Sequence, residues 1–246
     1  MKNNILLTGG SGTLGKTIIN KNIFKKIYFP TKKKLNILNL KDLEKFIISK
    51  KISLIIHCAA LARVKECEKY PLKAMQINVG GTANIVSIIQ KIKFKYNKTI
   101  KLVFISSDAV YASTKGNYSE NSILDPYNIY GWTKLAAEIQ VKTLNKHLII
   151  RTRFFDKNKI YFKKSANNIF TSSLEVNELV VLMHKLISKN FYGIINVGRK
   201  KISDYDNYKV YKKNIKHCSK SEIMNKLNFK IATDASLNLT KLKKFL

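Results

Sequence analysis

Through the first two-thirds of the chain, short and almost continuously apolar runs alternate with stretches that repeat at helical spacing. Ile5 to Thr8, Lys26 to Phe29, Ser53 to His57, Lys101 to Ser106 and His147 to Thr152 have the pattern of strands buried on both faces. Leu43 to Ser49, Leu72 to Lys91 and Tyr130 to Leu144 have the pattern of amphipathic helices between them. A repeated strand-helix order predicts an α/β fold: a Rossmann-like, doubly wound parallel sheet with helices on both faces and a ligand crevice at the carboxyl ends of the strands. From Phe154 the pattern loosens to one helix (Glu175 to Ser188), one strand (Gly193 to Val197), a basic Tyr-rich connector and two short helical segments near Ser221 and Leu239. The chain is therefore divided at 153, with residues 154–246 forming a small, shortened carboxyl-terminal region interleaved with the first domain.

Composition narrows the function classes. The 246 residues suffice for one domain of ordinary size and an appendage. Met1 to Asn4 run straight into the first strand, and no apolar stretch approaches the ~20 residues of a membrane span, so a soluble, cytoplasmic protein without membrane insertion is expected. Three cysteines without C-x-x-C spacing and four scattered histidines suggest neither a disulfide framework nor a metal site. The formal charge of +31 raises nucleic-acid binding as a candidate. Only four of the 46 basic residues are arginine, which leaves 42 lysines spread from end to end among many Asn and Ile. That is the mark of a drift toward A- and T-rich codons and a solvated lysine surface; a phosphate-gripping protein would use the arginine fork. No specific nucleic-acid partner is expected.

The chemistry starts at "LLTGGSGTLGK", where glycines fall as G-x-G-x-x-G from Gly10 or G-x-x-G-x-x-G from Gly9, with Gly12 and Gly15 common to both. At a strand-to-helix junction such glycines permit a tight turn and a close approach of backbone N–H groups to a pyrophosphate. This makes 1–153 an NAD(P)-binding domain. The acidic residue that would hold an adenosine ribose 2′-OH is absent: the first carboxylate is Asp42, and the expected place reads Thr31-Lys32-Lys33-Lys34. Cations there suit a 2′-phosphate, so NADPH is expected and NAD(H) is less favoured. The same lysines would also be unremarked in so lysine-rich a chain.

"PYNIYGWTK" places Tyr130 and Lys134 one turn apart on a helix. Spacing alone decides little, because 12 tyrosines and 42 lysines predict about two such pairs by chance and the chain has five, starting at Tyr28, Tyr111, Tyr130, Tyr205 and Tyr208. Only Tyr130 opens a helix that follows a strand with hydroxyls, Ser106 and Ser107, at its carboxyl end.

With "TGGSGTLG" (Thr8 to Gly15), "LNI" (Leu35 to Ile37), "HCAA" (His57 to Ala60) followed by "VKECEKYP", and "SSDAVY" (Ser106 to Tyr111) with "YGWTK", the chain resembles the extended short-chain dehydrogenase/reductases. Within them it is most similar to the dTDP-4-dehydrorhamnose reductase type of nucleotide-sugar reductase. The resemblance runs to about Arg153 and selects the Gly9, Gly12, Gly15 spacing. It implies Tyr130 as proton donor, Lys134 as the group that lowers the Tyr130 pKa and holds the nicotinamide ribose, and Ser107 as a hydrogen-bond partner of the substrate carbonyl. It also implies a cofactor surface of Gly9, Ser11, Gly12, Thr13, Leu14 and Gly15 at the turn. Lys32 would meet the 2′-phosphate, Asn36 and Ile37 would line the adenine pocket, and Ala59, Ala60 and Asn78 would flank the dinucleotide. His57, which stands where the family usually has Asn, is assigned to packing at the strand end.

The implied reaction is reduction, by NADPH, of a nucleotide-activated 4-keto-6-deoxy sugar in deoxysugar and polysaccharide biosynthesis. Dehydratases of the superfamily carry Glu where this chain has Ala109, which disfavours elimination of water. An epimerase with bound NAD stays open, as does a homodimer. The ending "DASLNLTKLKKFL" (Asp234 to Leu246) resembles that of rhamnose-pathway reductases, whereas "RTRFFDK" lacks their Trp-containing continuation and the span from Phe155 to Glu175 is short. These departures keep a third reading open, a non-catalytic, cofactor-binding regulatory subunit.

Overall fold

The computed structural model describes residues 4–225, 227 and 229–246. Strands β1 (Ile5–Thr8), β2 (Ile27–Tyr28), β3 (Leu54–His57), β4 (Lys101–Ile105) and β5 (His147–Thr152) alternate with helices α1 (Thr13–Lys21), α2 (Leu40–Ser49), α3 (Val64–Lys69), α4 (Pro71–Ala74), α5 (Gly81–Tyr96) and α6 (Ile129–Val141). Beyond β5 lie the short strands β6 (Phe154–Phe155), β7 (Lys164–Ala166), β8 (Phe170–Thr171) and β9 (Leu174–Glu175), then helix α7 (Val176–Ser188) and strand β10 (Gly193–Val197). All pairs in the central six-stranded sheet are parallel, in the order β10-β5-β4-β3-β1-β2. The order reverses between β1 and β3, which opens a crevice at their carboxyl ends.

The pleat explains why the strands read as unbroken apolar runs. Ile5 and Leu7 face a layer formed by Ile18 of α1 and Leu179, Val180 and Met183 of α7, while Leu6 faces Leu43 and Ile47 of α2 and Ile85, Ile89 and Ile92 of α5. Both faces are dry, and each such side chain contributes ~1.5–3 kcal/mol of burial. The sheet thus draws its last strand and one helical layer from residues beyond 153.

The helix expected over Leu72 to Lys91 is divided. Pro71 starts α4, a π-helical turn spans Met75–Gly80, and α5 continues to Tyr96. The wide turn holds Asn78 and ends at Gly80 and Gly81; a Cβ on Gly81 would displace the Ile37 side chain, so glycine there lets the helix lie close on the β2–α2 loop. The remaining elements are three small ladders beyond β5. β6 pairs with β9, β7 with β12 (Lys216–Cys218), and β8 with β11 (Ile202–Ser203). Short helices at Asp204–Lys209, Lys220–Met224 and Thr240–Phe245 complete the chain, matching the helical segments expected near Ser221 and Leu239.

Candidate active site

The glycine turn joins the buried end of β1 to α1. Gly9 has φ +75°, and a Cβ there would lie 2.6 Å from the Ala59 nitrogen. A Cβ on Gly15 would strike the Gly9 carbonyl and come within 2.7 Å of Gly10 Cα, whereas one on Gly10 would meet side chains, the nearest at 3.3 Å. Geometry therefore demands glycine at 9 and 15. Gly12 caps α1 with no side-chain hydrogen bond, and no acidic residue occupies the first turn. The Gly12 N–H closes the turn by donating to the Gly9 carbonyl at 3.0 Å, and the uncompensated helix N-terminus that follows favours an anion beside Ser11 to Thr13, while Leu14 turns into the core. This cradle fits a dinucleotide pyrophosphate.

Lys32, Lys33 and Lys34 are exposed on the loop after β2, where Thr31 accepts hydrogen bonds from the Lys34 and Leu35 N–H groups. Asn36 uses its side chain to accept from the Leu38 N–H at 3.1 Å, and the Ile37 carbonyl accepts from Asn84 at 2.9 Å. Ala59 and Ala60 are half-buried on the exit from β3. Asn78 is buried, and its amide binds the Leu61 N–H, the Leu61 carbonyl and Thr133 Oγ1 at 2.7–3.0 Å. It shapes the loop beside the alanines and keeps no free hydrogen-bonding group of its own.

His57 lies at the end of β3 between Thr8 Oγ1 at 2.7 Å and Thr82 Oγ1 at 3.0 Å. Thr82 donates its single hydroxyl proton to the Asn78 carbonyl, so His57 Nε2 must carry the proton and Nδ1 must accept from Thr8. Burial, and then the charge of Lys134, depress the His57 pKa to about 3, in keeping with a neutral ring in a packing role.

Ser107 follows β4 and caps the 3-10 turn Asp108–Val110, its Oγ accepting from the Ala109 N–H at 3.1 Å. The Ser107 hydroxyl donates to Asp108 Oδ1 at 3.1 Å and is also hydrogen-bonded to the Tyr130 phenol. Asn128 caps α6 through the Gly131 N–H at 2.8 Å, which sets Tyr130 in the first turn and Lys134 in the second. A Cβ at residue 131 would meet the Ala109 carbonyl, so glycine is what lets α6 close on the turn after β4.

One expectation is overturned. The Tyr130 pKa is raised, not lowered: burial of the phenol dominates, the Ser107 hydrogen bond only partly opposes it, and the leading charge effects come from Asp108, Cys67 and Arg153. The Lys134 ammonium instead lies 4.0 Å from the centroid of the Phe104 ring, on the side of His57 and Cys58. Burial lowers Lys134 itself to about 8, with Glu138 opposing.

Beneath these groups is a buried ion pair. Arg151 donates to the Glu138 carboxylate at 2.7, 3.1 and 3.2 Å, to the Tyr111 hydroxyl at 2.9 Å and to the Glu120 carbonyl at 3.1 Å, while Ser106 donates to Glu138 Oε1, which also accepts from Arg151 Nε. A second guanidinium, Arg153, pairs with Asp108 at 2.7 Å and hydrogen-bonds Tyr127. Asp204 is held up to about 6 by burial, with Arg153 opposing. Asp108, Tyr127, Arg153 and Asp204 were not singled out by sequence. The available signal was the scarcity of arginine: all four arginines form ion pairs.

The family described as RmlD substrate binding domain matches residues 1–181. The chain is 30% identical over 145 residues to methionine adenosyltransferase 2 subunit beta of Rattus norvegicus, covering 54% of this chain and 41% of that protein. It is 28% identical over 152 residues to dTDP-4-keto-6-deoxy-D-glucose reductase of Streptomyces niveus, covering 60% of this chain and 51% of that one. The chain thus spans about half the length of the curated relatives it matches. Over 99% of its length it superimposes on the crystal structure of dTDP-4-dehydrorhamnose reductase from Bacillus anthracis in complex with NADP, with TM-score 0.84, 26% identity and 92% of that chain covered. The region beyond 153 therefore keeps that outline, despite the short span expected there.

Proposed function

Because the chain belongs to the RmlD substrate binding domain family, we propose that it is an NADPH-dependent reductase of a nucleotide-activated 4-keto-6-deoxy sugar. The observation that carries this reading is the hydrogen-bonded Ser107–Tyr130 pair beyond β4, with buried Lys134 one helical turn along and the glycine cradle two strands away at the end of β1. A reduced nicotinamide held along this surface would supply the hydride. The chain's own groups manage the oxygen. Tyr130, fully protonated at neutral pH because burial raises its pKa, gives its Oη proton to the alkoxide as it forms. Ser107 Oγ turns from Asp108 to donate to the same oxygen. Lys134, largely charged at neutral pH, contributes a positive field in a dry site and a donor for the nicotinamide ribose. Gly9 to Gly15 would hold the pyrophosphate, Lys32 the 2′-phosphate, and Asn36, Ile37, Ala59 and Ala60 the adenosine side. Residues 154–246, apart from α7 and β10, are assigned to the sugar nucleotide.

The test is NADPH oxidation with dTDP-, UDP- and GDP-linked 4-keto-6-deoxyhexoses by the wild type and Tyr130→Phe. Loss of the phenol should lower turnover by at least ~100-fold while NADPH still binds. A second reading, a regulatory subunit that binds the cofactor without turnover, is favoured by the likeness to a methionine adenosyltransferase beta subunit. NADPH binding with no oxidation of any substrate in the panel would select it.

A further inference from the structure

In the parallel sheet every strand starts at the same end, away from the crevice. The starts lie side by side: the Ile5 N–H donates to the Lys26 carbonyl, Ser53 to Asn4, Lys101 to Ser53 and Leu102 to Lys146, each at 3.0 Å. Five spacings between six strands make a strip about 24 Å wide. Five turns lead into it, residues 22–26, 48–53, 93–100, 142–146 and 188–192; together they carry ten lysines, all exposed, and no Asp, Glu or Arg. All 15 carboxylates of the chain stand elsewhere. A drift toward A- and T-rich codons raises the number of lysines but does not clear one end of the molecule of carboxylates. Helix dipoles account for part of the pattern, since a lysine in a last turn offsets the negative helix end. Lys25, Lys26, Lys50, Lys51, Lys98 and Lys146, however, stand beyond the last residues of α1, α2, α5 and α6. Lys189 is occupied by the Phe245 and Leu246 carbonyls at 3.3 and 3.1 Å.

Aromatic rings stand among these lysines. Phe94, on the last turn of α5 between Lys93 and Lys95, is 95% exposed, and Tyr96 beside it is half-exposed. The core face of α5 is made by Ile85, Ile88, Ile89 and Ile92, so Phe94 serves no packing within the fold. Half-exposed Tyr192 lies over the buried Lys101 ammonium, 4.4 Å from its ring centroid, and carries the aromatic strip across β5 toward β10. Lysine stems that reach headgroup phosphates around rings that settle at headgroup level are what an anionic membrane surface selects. A nucleic acid would instead be gripped by arginine forks or tracked along a groove. The turns hold no arginine, and none of their residues lines the clefts at Asn117, Thr13 and Asn128. Among the described residues no helix is long and apolar enough to cross a membrane, so the attachment is peripheral. We propose that the amino end of the sheet docks on the anionic headgroups of a membrane, with Phe94 and Tyr96 at the interface and the crevice facing away from the lipid. Such docking needs neither cofactor nor turnover and is independent of the reductase reading.

The full chain is sedimented with vesicles of phosphatidylcholine, with and without phosphatidylglycerol. A charge of +31 draws the chain to any anionic surface, so matched variants locate the contact. Lys93→Glu with Lys95→Glu should weaken binding to the anionic vesicles at least ~10-fold, because each lysine brought to such a surface is worth roughly fivefold. Lys65→Glu with Lys73→Glu, exposed beyond the carboxyl end of β3, changes the net charge equally and should weaken binding less than ~3-fold, its charges lying beyond the screening length. Phe94→Ser leaves the charge unaltered and should weaken binding at least ~3-fold, with the melting temperature of all variants unchanged. Trp132, the single tryptophan, stands at the opposite end on the first turn of α6 and should keep its emission on binding, whereas Phe94→Trp with Trp132→Phe should shift to the blue. Equal losses in the two charge-reversed pairs, wild-type affinity in Phe94→Ser, or a blue shift from Trp132 overturns the proposal. Binding to duplex DNA or RNA tighter than to the vesicles and lost in the same variants gives the face to nucleic acid and overturns it as well.

Discussion

Lys134→Met separates what the fold needs at position 134 from what the chemistry needs. Burial lowers the Lys134 pKa from its ordinary 10.5 to about 8, and the side chain is 3% exposed. At ~1.4 kcal/mol per pKa unit this is a destabilisation of roughly 3 kcal/mol, and relaxation around the charge brings the expected gain on removal to about 1–3 kcal/mol. Met preserves the stem that packs along Phe104. In a chain of this size each kcal/mol moves Tm by ~2–4 °C, so Lys134→Met should melt ~3–10 °C higher at pH 7. The sign follows from proton counting. Below pH 8 both states of the wild type carry the proton and the folded state bears the full cost. Between about 8 and 10.5 the folded state releases it while the unfolded state keeps it, so wild-type stability rises with pH relative to the variant. The advantage of Met should therefore be largest at pH 7 and shrink toward pH 10, read by thermal unfolding at both values, while turnover disappears. A Tm at or below wild type, or an advantage independent of pH, refutes the reasoning. Lys101 is the control. It is also lowered to about 8 by burial, with Nζ 4.4 Å from the Tyr192 ring centroid, but it begins β4 at the end opposite Ser107. Lys101→Met should raise Tm and leave turnover unchanged.

Further outcomes follow from the same geometry. Glu138→Gln strands a guanidinium that is 2% exposed and should cost about 3–5 kcal/mol in urea unfolding, whereas Glu138→Leu with Arg151→Met should recover most of it. Gly15→Ala puts a methyl 2.7 Å from Gly10 Cα and should weaken NADPH binding at least ~10-fold by calorimetry, through a displaced turn of the kind overpacking produces. Lys32→Glu with Lys33→Glu should cut the preference for NADPH over NADH by ~10-fold or more, because a charge-assisted contact to the 2′-phosphate is worth ~1.5–3 kcal/mol. An unchanged ratio would remove these lysines from the cofactor site.

The central strands were legible because a parallel strand covered on both faces has no choice but to be apolar throughout, and β5 spans the whole of the expected His147 to Thr152. The divided helix around Asn78 was not, since a π turn adds a residue without disturbing the apolar spacing on either side. Nor were the ladders beyond β5. Strands of two and three residues carry too little periodicity to register, and their partners are distant: Lys164 pairs with Lys216 and Thr171 with Ile202. The candidate site shows the same division. Spacing brought Tyr130 and Lys134 to one helix, but the assumption that the ammonium would govern the phenol needed the direction of the lysine stem and the depth of the ring. Both depend on Phe104 and Ser107, which the tertiary fold delivers.

Arginine holds the remaining lesson. In a chain that draws 42 of its 46 basic residues from lysine, Arg151 and Arg153 stand where a compact ammonium would not serve. Arg151 has to fork across a carboxylate and still reach Tyr111 and Glu120, and Arg153 has to span Asp108 and Tyr127. Both leave the carboxyl end of β5 on alternate residues, Arg151 into the support beneath Ser106 and Arg153 to the turn that carries Ser107. The two ion pairs thus fix the β4 end from below and from the side. That is the rigidity a hydroxyl must have if it is to exchange Asp108 for a substrate oxygen without losing its place beside Tyr130.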